Sequence, residues 1–341
     1  MTRAVACTSS QAADAAKKPP PHPFSPLAEN VAIASMAEST IWVPAGPSKR
    51  AQPSPPTPGK RSTTTAAQSG MARFPIMEVT AAQRTAFADD GVVVLRGLLD
   101  DRWLGVLETA VERNLAEPGE HAQRYTPEGQ PGQYFGDYCN WQRIDGFREV
   151  AFDSGLATPA RQLMGSHTSR FFHEHVLVKE PGTREVTPWH HDQPYYFVDG
   201  DQNVSFWIPL DPVPASCGVR FVAGSHRWGR WFVPRRFVDH VPYAGPDDRF
   251  DLVPDVDAEL DRHRILVTAV EPGDVIAFHF RTLHDAPATE GLSTPRRVVS
   301  LRWLGDDATF ALRPWLHSPP FEPRDLAEGG PLDDDRFPPV T

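Results

Sequence analysis

The chain has 341 residues, 40% hydrophobic, 10% aromatic and 23% charged, which is enough apolar material for one large domain or two smaller ones. It has no run of about 18 apolar residues, so no membrane-spanning helix is expected. Net charge is −10, and residues 1–70 hold seven of the 34 Lys and Arg but three of the 44 Asp and Glu, which leaves −14 on residues 71–341. A body so acidic repels polyanions and argues against nucleic acid as a partner, although a local basic pocket for a small anion is compatible with it. Cys7, Cys139 and Cys217 lie far apart with no CxxC pair. They make neither a disulfide framework nor a thiolate metal site. A reducing compartment, the cytoplasm in the first instance, is the simplest expectation.

In chain order, residues 1–70 read as a disordered leader rich in Pro, Ala and Ser. Eleven of the 36 prolines fall there, in stretches that cannot form a packed core. An inert tail is the plain reading; a regulatory tail, an organelle transit peptide or a start at Met71 fit the composition too. Residues 71–341 are expected to form a single domain. Thr80-Ala-Ala-Gln83 has the form of a capping box, and Asp90-Gly91 closes the helix that it opens. Val92–Leu95 reads as a strand. A second helix is expected from about Asp100 to Leu115, with Trp103, Leu104, Leu107 and Val111 on its buried face.

Beyond about residue 165, short β-rich runs alternate with Gly, Pro and Asp. Strands are expected near Phe171–Lys179, Val204–Leu210, Val219–Val222, Val275–Phe278 and Val298–Trp303. This predicts a mainly β protein with flanking helices (α+β), with a jelly roll as one solution that limits exposed edges.

Thr187-Pro-Trp-His-His-Asp-Gln-Pro-Tyr-Tyr196 is the most informative segment. In an extended segment side chains alternate, so His190 and Asp192 point one way and His191 the other. One imidazole and one carboxylate make two of the three ligands of a facial triad, which leaves open positions on iron for a bidentate oxoacid and dioxygen. His284, beyond the end of the strand that Pro272-Gly-Asp starts, is the candidate third ligand. Twelve residues later Arg296 begins another strand, on which Arg296, Val298, Ser300 and Arg302 share a face. A guanidinium supplies the planar fork that the distal carboxylate of 2-oxoglutarate needs; lysine does not.

These segments, in this order, resemble the phytanoyl-CoA dioxygenase family of iron and 2-oxoglutarate oxygenases over roughly residues 80–310. The resemblance is carried by Asp90-Gly91 with its entry strand, Val176–Gly182, Trp189-His-His-Asp-Gln-Pro-Tyr195, Ser205–Asp211, Gly218–His226, and Gly273-Asp-Val through His284 to the arginine strand. It implies a double-stranded β-helix of cupin-like form, with iron ligands at His190, Asp192 and His284. It also implies Arg296 on the 2-oxoglutarate carboxylate and Trp207 lining the co-substrate pocket. Two departures stand out. Ala286 occupies a position where the family often has a serine that binds the co-substrate. The arginine comes one residue late, which leaves Arg297 as the alternative, since a slip of one flips every side chain. His226 falls in a loop motif expected to be structural, and Lys179, His173 and His175 share a strand face that can reach the pocket.

The expected activity is hydroxylation of an unactivated C–H bond of a small molecule, using iron(II), 2-oxoglutarate and dioxygen, with ascorbate as reductant. Related halogenases replace the carboxylate ligand with a small residue, so Asp192 favours hydroxylation. Desaturation, ring closure or epimerisation use the same ligands. A cupin-like isomerase or hydrolase, or a non-catalytic binding module, are the competing readings; the first leaves Arg296 unexplained and the second leaves the triad unexplained. Tyr195, Tyr196, Phe135, Trp141 and Trp315 are candidates for an aromatic substrate wall.

Overall fold

The computed structural model describes residues 78–332 and 334–340, with the backbone of Ala34–Ser35. The leader over residues 1–70 and the boundary at Met71 lie outside that range but for those two residues. Thr80 caps the first helix, Ala81–Asp90, with both halves of the capping box present, and Gly91 ends it in the left-handed conformation. Val92–Leu95 follows as a strand, and then Asp100 caps the helix Asp101–Ala116 through the Trp103 N–H. Trp103, Leu107 and Val111 are buried and Leu104 is partly so.

Two sheets face each other. The larger runs in the spatial order Val92–Leu95, Val275–Phe278, Asn203–Pro209, Arg296–Leu304, Arg170–Lys179, Tyr134–Tyr138, Gln123–Arg124, every neighbour antiparallel. The smaller runs Ala34–Ser35, Ile265–Val267, Arg220–Val222, His284–Ala286, Thr187–His190, antiparallel except at its first pair. Connections cross between sheets, and the result is a jelly roll with helices on one side. Among the described residues no helix is long and apolar enough to cross a membrane.

Alternation along the larger sheet makes two cores. Val93, Phe206, Val275, Val299, Leu301 and Trp303 pack against Phe87, Trp103, Leu107 and Phe147 of the helices. Val92, Trp207, Ile276, Phe278 and Val298 pack inward against Val219, Phe221 and Leu266 of the smaller sheet. The five strands expected from sequence all form, with ends shifted by a residue or two. Tyr134–Tyr138, Ile265–Val267 and the helices Asp145–Asp153 and Ala157–Met164 were not expected. Gly and Asp inside Tyr-Phe-Gly-Asp-Tyr are poor strand formers, and the helices are too short for a clear period.

Gly91 ties this frame to the inter-sheet turn. Its carbonyl accepts from the His279 N–H at 2.8 Å and the Thr282 hydroxyl at 2.9 Å. Its φ is +76°, and a Cβ there would collide with Thr282 Oγ1 and the His226 ring. Gly91→Ala is therefore expected to destabilise by about 2–4 kcal/mol, from the left-handed backbone and overpacking together. Urea unfolding checks this; an unchanged midpoint would contradict it.

Candidate metal centre

His190 is the last residue of its strand and His284 the first of the neighbouring one, and the two are direct cross-strand partners. Residues directly opposite in an antiparallel pair point to the same face, and the ring centroids lie 4.2 Å apart. Asp192 joins them through a turn. The strand stops at His190, the Asp192 and Gln193 N–H groups both donate to the Phe280 carbonyl at 2.7 and 3.1 Å, and a 3₁₀ turn follows over Gln193–Tyr195. Asp192 is in helical conformation, so the turn, and not simple alternation, aims its carboxylate. Oδ1 lies 3.5 Å from His190 Nε2 and 3.7 Å from His284 Nε2.

The donor set suits a divalent metal. One ligand atom from each of the three residues lies within 4.8 Å of the others, and all three residues are buried. His190 Nδ1 is 2.8 Å from the Pro188 carbonyl and His284 Nδ1 2.9 Å from the Thr282 carbonyl. A carbonyl only accepts, so each Nδ1 carries the proton and each Nε2 presents its lone pair to the centre. Burial, then the neighbouring His190, holds His284 neutral with its pKa down at about 3. His191 faces away: its Nε2 accepts from the Phe232 N–H at 2.9 Å.

Burial alone would raise the Asp192 pKa, but the Arg302 guanidinium and the two imidazoles override it and hold it well below the usual range. Arg302 Nη2 donates to Asp192 Oδ2 at 3.3 Å, which leaves Oδ1 toward the histidines. Sequence reading placed Arg302 on the right face but gave it no role; its period-two position after Arg296 was the available signal.

The triad lines a cavity of about 120 Å³ together with Trp207, Ala286, Arg296, Val298, Ser300 and Arg302. Arg296 is 5% exposed, and its Nη1 donates to the Cys217 carbonyl at 2.7 Å. No carboxylate pairs with it among the described residues. Arg297 points the other way, to Asp211 at 2.8 Å and Glu108 at 3.4 Å. His173 and His175 line the cavity. Lys179 does not: its Nζ donates to the Glu185 carbonyl at 2.8 Å and sits over the Tyr134 ring. His226 Nε2 donates to the Ala88 carbonyl near the end of the first helix, 3.2 Å away. Tyr195 and Tyr196 line the cavity, whereas Phe135 and Trp141 belong to the helix-side core and Trp315 donates to the Pro194 carbonyl. Tyr125, Tyr134, Tyr138, Phe237 and Tyr243 are lining residues that sequence reading missed, because their strand and loops were not recognised.

A family model described as phytanoyl-CoA dioxygenase (PhyH) matches residues 87–298, more than half of the chain. The chain belongs to the phytanoyl-CoA dioxygenase family. Ectoine dioxygenase of Sphingopyxis alaskensis is 27% identical to it over 274 residues, 74% of this chain and 88% of that protein. Two solved structures share the fold. The non-haem alpha-ketoglutarate-dependent carbocyclase SnoK from nogalamycin biosynthesis is 22% identical with a TM-score of 0.60, over 77% of this chain and 97% of SnoK. The epimerase SnoN, in complex with Fe3+, alpha ketoglutarate and nogalamycin RO, is 24% identical with a TM-score of 0.60, over 76% of this chain and 97% of SnoN. The protein is thus an enzyme of the iron and 2-oxoglutarate oxygenase family.

His190→Ala, Asp192→Ala and His284→Ala are each expected to abolish Fe(II) or Mn(II) binding in a metal titration, and Arg302→Leu to weaken it by about 10–100-fold. His191→Ala should keep the metal while losing about 1–3 kcal/mol of stability, because the Phe232 N–H loses its acceptor. Metal loss in His191→Ala alone would contradict the assignment.

Proposed function

We propose that the protein is an iron(II)- and 2-oxoglutarate-dependent hydroxylase of a small molecule, working as one domain from about residue 71. The observation that carries this reading is the Arg296 guanidinium, buried in the same cavity as the His190, Asp192 and His284 cluster, with the Cys217 carbonyl as its one hydrogen-bond partner among the described residues. Burying a guanidinium without an anion is costly. Burial pushes its pKa down, but a guanidinium is not deprotonated in proteins. It therefore stays charged and needs a carboxylate. A cupin-like isomerase or hydrolase would leave that charge uncompensated.

In this reading His190, Asp192 and His284 hold the iron on one face. Arg296 takes the distal carboxylate of 2-oxoglutarate as a fork. Trp207, 5% exposed and beside Ser300 on the next strand, forms a flat wall for the co-substrate chain. Ala286 offers no side-chain donor, so Arg296 and the metal carry the co-substrate's polar contacts. Bound iron, 2-oxoglutarate and dioxygen together supply an oxidant that takes hydrogen from a C–H bond, with release of succinate and carbon dioxide. Arg302 keeps the Asp192 carboxylate in place as a ligand, which supports oxygen insertion over halide transfer. Ascorbate would keep the iron ferrous between turnovers. Cys139 and Cys217 are free thiols, which supports a reducing compartment such as the cytoplasm.

Purified protein with Fe(II), ascorbate and 2-oxoglutarate should form succinate, faster with its true substrate. Arg296→Ala should raise the KM for 2-oxoglutarate roughly 30-fold or more, from the loss of a buried charge pair, while Arg297→Ala leaves it within about twofold, as expected of a separate site. The reverse pattern would move the clamp to Arg297.

A further inference from the structure

The chain has six tyrosines, and all six line this one cavity: Tyr125, Tyr134, Tyr138, Tyr195, Tyr196 and Tyr243. Of the described phenylalanines only Phe237 and Phe278 do so. Packing is thus left to phenylalanine, and phenol hydroxyls are gathered where a ligand would sit. Two of them hold the wall together. Tyr134 bonds Thr187 at 3.1 Å, and the Tyr195 hydroxyl donates to the Arg235 carbonyl at 2.6 Å while accepting from the Arg235 N–H at 2.9 Å. Tyr138 has a long 3.3 Å contact with Ser318. The hydroxyls of Tyr125 and Tyr243 have no partner among the described residues.

The imidazoles beside them are also unengaged. His173, 2% exposed, and His175 each leave a buried ring nitrogen without a partner, Nδ1 and Nε2 respectively. His175 meets Tyr138 edge-on at 5.3 Å. The floor is shaped for this group. On the strand Tyr134–Tyr138, Gly136 lies between two tyrosines that face the cavity, and a Cβ there would come within 2.9 Å of the Tyr125 ring, 3.1 Å of its hydroxyl and 3.4 Å of His175 Nε2. Only a bare backbone lets both side chains lie against it.

The charges that line the cavity are otherwise accounted for. Arg302 holds Asp192, and Arg296 faces the co-substrate. Arg235 donates to the Val253 carbonyl at 3.1 Å and also lines a neighbouring cleft, whose Asp257 and Asp285 pair with Arg220. A cationic ligand would meet Arg302 and the metal. An anionic one would find neutral donors and the single guanidinium of Arg235, already held by the Val253 carbonyl, which is little to repay the desolvation of a charge. The enclosed volume of about 120 Å³ holds roughly ten water-sized spheres, room for the co-substrate and one end of a larger molecule.

We infer that the tyrosine-lined half of the cavity is a site for an uncharged, ring-bearing, hydroxyl-rich substrate, with Tyr125, Tyr138 and His175 as the groups that bind its hydroxyls. This rests on the reading of the other half as the iron and 2-oxoglutarate site. The test is anaerobic calorimetry on the full chain loaded with Fe(II) and 2-oxoglutarate, with two probes that differ in one group, phenyl β-glucoside and phenyl β-glucuronide. The glucoside should bind about tenfold tighter than the glucuronide, and Tyr125→Phe and Gly136→Ala should each weaken it by about three- to tenfold. 2-Oxoglutarate affinity in both variants should stay within about twofold of the parent. Tighter binding of the glucuronide, with that advantage lost in Arg235→Gln, would overturn the inference in favour of an anionic substrate. Glucoside binding indifferent to both variants, or no binding of either probe, would overturn it as well. A parent protein that fails to bind 2-oxoglutarate would instead remove the reading beneath it.

Discussion

The pairing of two short strands governs this site. His190 ends one and His284 begins the other, and as direct antiparallel partners they must present their rings to the same face. Everything else serves that register. The Phe280 carbonyl draws the chain off the strand after His190 and brings the Asp192 carboxylate round to the two imidazoles. Thr282, whose carbonyl orients the His284 ring, is anchored through its hydroxyl to Gly91 at the entry of the larger sheet. A site that needs sub-ångström placement is thus held by backbone hydrogen bonds on both sides, not by the packing of flexible side chains.

The arginine strand adds the electrostatics. With a period of two, Arg296 and Arg302 fall on one face six residues apart, and the strand's rise of about 3.3 Å per residue separates their Cα atoms by roughly 20 Å along its length. One charge stands by the His190, Asp192 and His284 cluster and the other toward the far end of the cavity. Arg302 suppresses protonation of Asp192 and fixes its orientation. Arg296 is left without a carboxylate among the described residues, which is what the proposed co-substrate clamp would need. Arg297, between them in sequence, turns out of the cavity to Asp211 and Glu108.

Much of this was legible in the chain itself. The capping box at Thr80, the stop at Gly91, the five strands expected beyond residue 165 and the two faces of the arginine strand follow from local rules, because each side chain's direction is set by the period of its own element. What was hidden depends on non-local contacts. Alternation put Asp192 on the face of His190, but the turn that aims its carboxylate depends on the Phe280 carbonyl, distant in sequence. Lys179 shares a strand face with His173 and His175, yet backbone carbonyls from another loop take its ammonium out of the cavity. Phe135 and Trp141 look like lining residues only until the missing strand and helices are placed, after which they belong to the other core. The tyrosine cluster was invisible because its members come from separate segments that meet only in the fold.

The most direct test of the central claim is anaerobic absorption spectroscopy of the Fe(II)-loaded protein as 2-oxoglutarate is added. Chelation of ferrous iron by a 2-oxoacid gives a visible charge-transfer band. The account predicts a band that saturates at one iron and one 2-oxoglutarate per chain. Iron that binds with no band, or a band of equal strength in His284→Ala, would contradict it.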